Sequence, residues 1–178
     1  MDNQLKASKI IGIIFIIFLG TLMHFVYEWS NYNTIVALVA PINESIWEHL
    51  KLLFFPTLLY SIIEYNRVGK NYSNYITSIA FGLIIGLLSI IVIYYTYTGI
   101  IGYNIFIMDI LIFIVSVILT QYISYYVLTN NLFTQVSSTT SILLLIVILL
   151  MFILFTFKPP MIELFRDPVN STYGIVTK

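Results

Sequence analysis

The chain has no cysteine. That excludes disulfides, thiolate metal sites and a cysteine nucleophile together. Charge is scarce as well: 9% of the 178 residues are Asp, Glu, Lys or Arg, and they cancel to a net charge of zero. A chain without a basic excess offers no footprint for nucleic acid, so a nucleic-acid partner is not expected. Histidine occurs only twice, as His24 and His49. Any nitrogen-rich metal site must be built on those two.

What is present is apolar. Hydrophobic residues make up 60% of the chain, more than a water-soluble core of this size needs. Several runs reach the roughly 20 residues that span a bilayer. The pattern predicts an all-α polytopic bundle of five transmembrane helices, over about residues 9–28, 43–65, 72–97, 103–128 and 137–157. Short connections predict one packed bundle over 1–157, with the tail 158–178 as a second, extracytoplasmic segment packed on the outer mouth. Pro159 and Pro160 end the last span because proline lacks the donor a helix needs. The first apolar run follows Lys6 and Lys9, as in a signal peptide. It continues into His24, Tyr27, Glu28 and Trp29 and meets no small-residue cleavage site, so it reads as a retained helix. Basic residues near the span ends (Lys6, Lys9, Arg67 and Lys70 on one side; Lys158, Arg166 and Lys178 on the other) favour the amino terminus inside and the tail outside. Heavy use of Ile, Tyr and Asn fits a bacterial source, and with it the plasma membrane.

The polar residues collect near the outer boundary. Residues 44–51 hold Glu44, Glu48, His49 and Lys51 between two apolar stretches. Ionisable groups at a membrane boundary are costly and mark candidate sites. His24 and Glu28, four apart, stand about 40° from each other on one helix face. Such a pair can hold a divalent metal, or a carboxylate can orient an imidazole as a base. A buried histidine bonded to the carboxylate one turn away is the plainer alternative. Glu44, Glu48 and Lys51 fall within about 60° on the second helix. Ser45 and Glu48 also fit a capping box, in which the glutamate returns a bond to the cap. Asp109 is the deepest acid, about two turns into the fourth span. It needs a partner, and His24, His49, Lys51 and Arg166 are the candidates. Ser116, Thr120 and Ser124 below it suit close helix packing or a polar track. Ser78, Gly82 and Gly86 form a small-residue packing stripe on the third span. Glu64 and Arg67, at the inner side, read as an ordinary i,i+3 pair.

Three stretches carry a resemblance. His24-x-x-Tyr27-Glu28-Trp29-Ser30, then Pro41-Ile42-Asn43-Glu44-Ser45-Ile46-Trp47-Glu48-His49-Leu50-Lys51, then Phe165-x-Asp167-Pro168 with Tyr173-Gly174, together resemble an uncharacterised prokaryotic family of small multi-pass membrane proteins. The resemblance implies a membrane location and no established activity. A looser chemical similarity runs to intramembrane zinc hydrolases of the ceramidase and adiponectin-receptor type, whose sites use three histidines, an aspartate and a serine. With two histidines here, a carboxylate would stand in for the third.

Three functions follow as expectations. The first is a membrane-embedded, metal-assisted hydrolase or transferase acting on a lipid or envelope substrate. His24, Glu28, Glu48 and His49 would ligate a divalent metal such as zinc, and Glu44, Glu48 and Asp109 would supply the catalytic carboxylates. The second is a structural or accessory membrane subunit whose polar cluster ties helix ends together. The third is a small transporter using Asp109 and the hydroxyl face, which the scarcity of inner-side charge disfavours.

Overall fold

The computed structural model describes residues 2–175; Lys178, counted above for orientation, lies outside them. Five α-helices follow one another: α1 (Asp2–Trp29), α2 (Ile46–Arg67), α3 (Tyr75–Ile101), α4 (Phe106–Thr129) and α5 (Ser138–Phe157), with short 3-10 turns at Val36–Leu38, Gly69–Asn71 and Glu163–Phe165. All five are long and apolar enough to cross a membrane. Large apolar side chains stand exposed along them, among them Ile14, Phe18, Val92, Leu143 and Leu150, as a lipid-facing surface requires.

Caps and close approaches set where the helices begin and how they pack. Ser45 caps α2, its hydroxyl oxygen accepting the Glu48 N–H at 3.4 Å. Only half of the expected capping box forms. The Glu48 carboxylate bypasses the cap and accepts the Ile42 N–H at 3.0 Å. Pro56 lies inside α2 and removes the donor for the Leu52 carbonyl. Helix α1 comes close to that carbonyl: a Cβ on Gly20 would lie 2.6 Å from the Leu52 oxygen. On α3, a Cβ on Gly86 would lie 1.9 Å from Thr120 Oγ1 of α4. The small-residue stripe therefore packs α3 against α4. The α4 hydroxyls serve that contact, with Ser89 Oγ donating to Ser116 Oγ at 2.8 Å and Ser78 and Ser124 hydroxyls 3.1 Å apart.

Five boundaries differ from the sequence expectation by three residues or more; α2 and α3 begin at Ile46 and Tyr75, three residues after 43 and 72, and α3 ends at Ile101, four after 97. Helix α1 begins at Asp2, seven residues before 9. Leu5, Ser8 and Lys9 are buried, and the extra turns hold Lys9 against α2. Helix α4 begins at Phe106, three residues after 103. Gly102, at φ +90°, turns the chain left-handed at the end of α3, and the chain is extended at Ile105.

One end of the bundle gathers the carboxyl ends of α1, α3 and α5, the amino ends of α2 and α4, and the tail. Trp47 fastens the tail there, with ring centroids 4.8 Å from Phe165, 5.0 Å from Phe152 and 5.3 Å from Phe155. Phe165 and Asp167 are buried. Asp167 turns the tail back on itself, accepting from Val169 N and Asn170 Nδ2 at 2.9 Å each.

Candidate functional site

At this end α1 and α2 bring both histidines to one carboxylate. His49 stands in the first turn of α2, and its Nδ1 lies 2.9 Å from the Ser45 carbonyl oxygen. A carbonyl only accepts, so Nδ1 carries the hydrogen. In the neutral ring Nε2 is then a bare lone pair, and it faces Glu44 Oε2 at 3.4 Å. His24, near the end of α1, brings its Nε2 to within 3.9 Å of the same oxygen. The two rings meet edge to face at 5.2 Å, and Phe25 stacks beneath His24. Contact with His49 holds the Glu44 carboxyl below the usual carboxylate range, aided by the charges of both imidazoles.

The His49 lone pair aimed at a carboxylate oxygen is repelled unless a proton or a metal ion stands between them. Either protons on the rings or a metal ion resolves the conflict. The spacing suits the metal. Ligand atoms about 2.0–2.2 Å from a tetrahedral ion lie roughly 3.4 Å from each other. The three atoms here all lie within 4.8 Å of one another, so small side-chain rotations suffice. The Ser45 carbonyl supplies the outer hydrogen bond that metal-binding histidines need for orientation. The side chains of His24, Glu44 and His49 are 32%, 46% and 27% exposed, leaving room for water as a further ligand.

The set that converges differs from the one expected as ligands. Among the described residues the group that could hold a metal ion is His24, Glu44 and His49; Glu44, expected as a base, stands with the two histidines. Glu28 is exposed and stands outside the group. Glu48 is also outside it. Its Oε2 accepts from Lys51 Nζ at 2.7 Å, and both side chains are almost fully buried. Lys51 Nζ donates further to the Ala37 carbonyl at 2.9 Å and to Thr156 Oγ1 at 2.7 Å. A buried carboxylate needs its charge matched, and Lys51 matches it. The arrangement ties the α1–α2 loop, α2 and α5 together behind the histidines.

Asp109 lies in the first turn of α4, not two turns down, because α4 starts late. Its partners are neutral. Tyr97 donates to Oδ1, and Asn104 Nδ2 approaches Oδ2 at 3.4 Å. It shares this end of the bundle with His49, each in the first turn of its helix. A cleft of about 240 Å³ opens beside Glu44, between the end of α3 and the tail; Tyr94, Tyr95, Tyr103, Glu163 and Arg166 line it.

The opposite end holds a second buried pair that the sequence did not suggest. Lys9 Nζ contacts Glu64 Oε2 at 2.6 Å, with side chains 5% and 0% exposed. Ser124 Oγ accepts from the same Nζ at 2.8 Å, and Tyr75 donates to Glu64 Oε2 at 2.8 Å. Glu64 thus pairs across 55 residues, not with Arg67. Its only sequence signal is a lysine one turn from Leu5 and Gly12 on an otherwise apolar face.

No curated protein and no solved structure matches the chain. The profile of one family, described as a family of unknown function (DUF6512), matches residues 1–175. With nearly its whole length matched, the chain belongs to that family of unknown function.

Proposed function

We propose that the protein is a multi-pass protein of the bacterial plasma membrane, amino terminus inside, that holds a divalent metal such as zinc at its outer boundary. His24, Glu44 and His49 are the ligands. Two nitrogens and one oxygen with an open position are the donor set of catalytic rather than structural zinc. The ion would lower the pKa of bound water toward about 7. The reading is therefore a metal-assisted hydrolase or transferase acting on a lipid or envelope substrate. Asp109, the remaining carboxylate near His49 without a cationic partner, is the candidate base.

One observation carries the reading: both imidazole Nε2 atoms approach the same Glu44 oxygen, and His49 is oriented by a carbonyl on its other nitrogen. The test is zinc titration of the purified chain with the two histidine variants. About one ion per chain is expected for the wild type, and none for His24→Ala or His49→Ala, with Glu28→Gln unchanged. Wild-type protein that takes up no zinc removes the proposal.

A second reading, an accessory subunit whose polar cluster only joins helix ends, draws on the Lys51 contacts to three separate elements. It predicts that the histidine variants lose thermal stability and that zinc has no effect on either protein.

A further inference from the structure

The cleft beside Glu44 has a chemistry of its own. Its walls come from α3 (Tyr94, Tyr95), the α3–α4 turn (Tyr103) and the tail (Glu163, Arg166). Arg166 is the one cation in that lining, and it is held in place. Its Nη1 donates to Glu163 Oε1 at 3.1 Å, its Nη2 donates to Ser171 Oγ at 2.9 Å, and its backbone bridges to Tyr173. Two of its five N–H groups are used, so three remain for a ligand. The guanidinium fork matches the oxygens of a phosphate better than any other side chain.

Charge decides what the cleft prefers. Empty of metal, it sets two carboxylates, Glu44 and Glu163, against one guanidinium, and an anion is unwelcome. A divalent ion on Glu44 reverses that balance and adds a second phosphate-binding centre to the lining that Arg166 shares. The volume sets the size. About 240 Å³ falls below the roughly 300–1,000 Å³ of pockets that enclose a drug-sized molecule. It suits a headgroup rather than a whole lipid. The position supplies the remainder. Ile100, Tyr103 and Phe106 stand 80%, 65% and 76% exposed at the same end, an apolar and aromatic rim at the level where headgroups meet acyl chains.

From these we infer that the cleft is a phosphate subsite for a phospholipid headgroup, open to its ligand only once metal occupies His24, Glu44 and His49. This rests on the proposed metal site and names its substrate class: a lipid phosphate ester, with the phosphate between the metal and Arg166 and the neighbouring part of the headgroup against the tyrosine rings.

The test uses the full chain in detergent, apo and zinc-loaded, titrated with short-chain phosphatidic acid, with inorganic phosphate and with diacylglycerol of the same chain length. Zinc-loaded protein is expected to bind the phosphatidic acid at least about tenfold more tightly than apo protein does. Arg166→Gln should weaken that binding by about tenfold while zinc stoichiometry and melting temperature hold. Glu163→Gln should strengthen it by about twofold to fivefold, because the competing carboxylate is gone; a gain cannot come from misfolding. Zinc-loaded protein that ignores phosphatidic acid, or an Arg166→Gln variant that binds it as well as wild type, overturns the subsite and leaves the metal site standing. Equal binding of inorganic phosphate overturns the lipid assignment, and equal binding of diacylglycerol overturns the phosphate assignment. Failure of the wild type to bind zinc overturns both readings.

Discussion

A histidine whose Nδ1 is committed to a carbonyl has one chemical choice left, and at His49 that choice points at Glu44. Proton and metal compete for the same lone pairs, so acid should expel the metal. Glu44 sits below the ordinary carboxylate range, hence it stays ionised through mild acid and is not the group that titrates first. Zinc affinity is therefore expected to fall off as imidazoles take up protons, well before carboxylates do. A pH series of zinc titrations checks this; an acid limb confined below about pH 5 contradicts it. The buried Lys51–Glu48 pair makes a separate prediction. Lys51→Met leaves a buried carboxylate without a counter-charge and should cost about 3–5 kcal/mol. The double change Glu48→Gln with Lys51→Met should recover part of that loss. Chemical denaturation of both variants measures it, and a double variant no more stable than Lys51→Met would show that the pair is not coupled.

At the scale of the helix, the sequence showed much of the fold and little of the pairing. The five helices were legible because length and apolarity alone specify a membrane-spanning segment. The Ser78, Gly82 and Gly86 stripe was legible because only close packing calls for small residues at that spacing. Partners were not. Whether Glu48 meets a histidine or Lys51 depends on how α2 is rotated against its neighbours, and spacing along one helix does not fix rotation. Lys9 looked like a flanking charge because the alternative needed Glu64, 55 residues away. Spacing puts Glu44 on one helical face with Glu48 and Lys51, but α2 begins only at Ile46, so the Glu44 carboxylate is free of that face and reaches the histidines instead. The close α3–α4 contact gives a direct check. A methyl added at Gly86 would overlap Thr120 Oγ1 and Leu53 Cδ2, at 1.9 and 2.9 Å, whereas Gly99 has nothing within 4 Å. Gly86→Ala is expected to destabilise by about 1–3 kcal/mol, and Gly99→Ala to be close to neutral. Thermal melts of the two variants decide it, and equal melting temperatures would contradict the packing.

Across the whole molecule, the described residues place His24, Glu44, His49, Asp109 and the tail at one end of a bundle that has an odd number of long apolar helices. If all five cross the bilayer, that end faces one side and Lys70 the other. A chain without cysteine makes the test clean. Thr34→Cys and Asn170→Cys should react with a membrane-impermeant thiol reagent applied outside intact cells, and Lys70→Cys only after lysis. Labelling of Thr34→Cys and Lys70→Cys from the same side would contradict the topology. The joining of α1 and α2 at the site end is what brings two isolated histidines to one carboxylate as the proposed metal site, and that convergence can be read directly. X-ray absorption at the zinc edge of the loaded protein should show scattering from two imidazoles with the remaining ligands oxygen. A zinc spectrum without imidazole scattering, or with only one ring, would contradict the account.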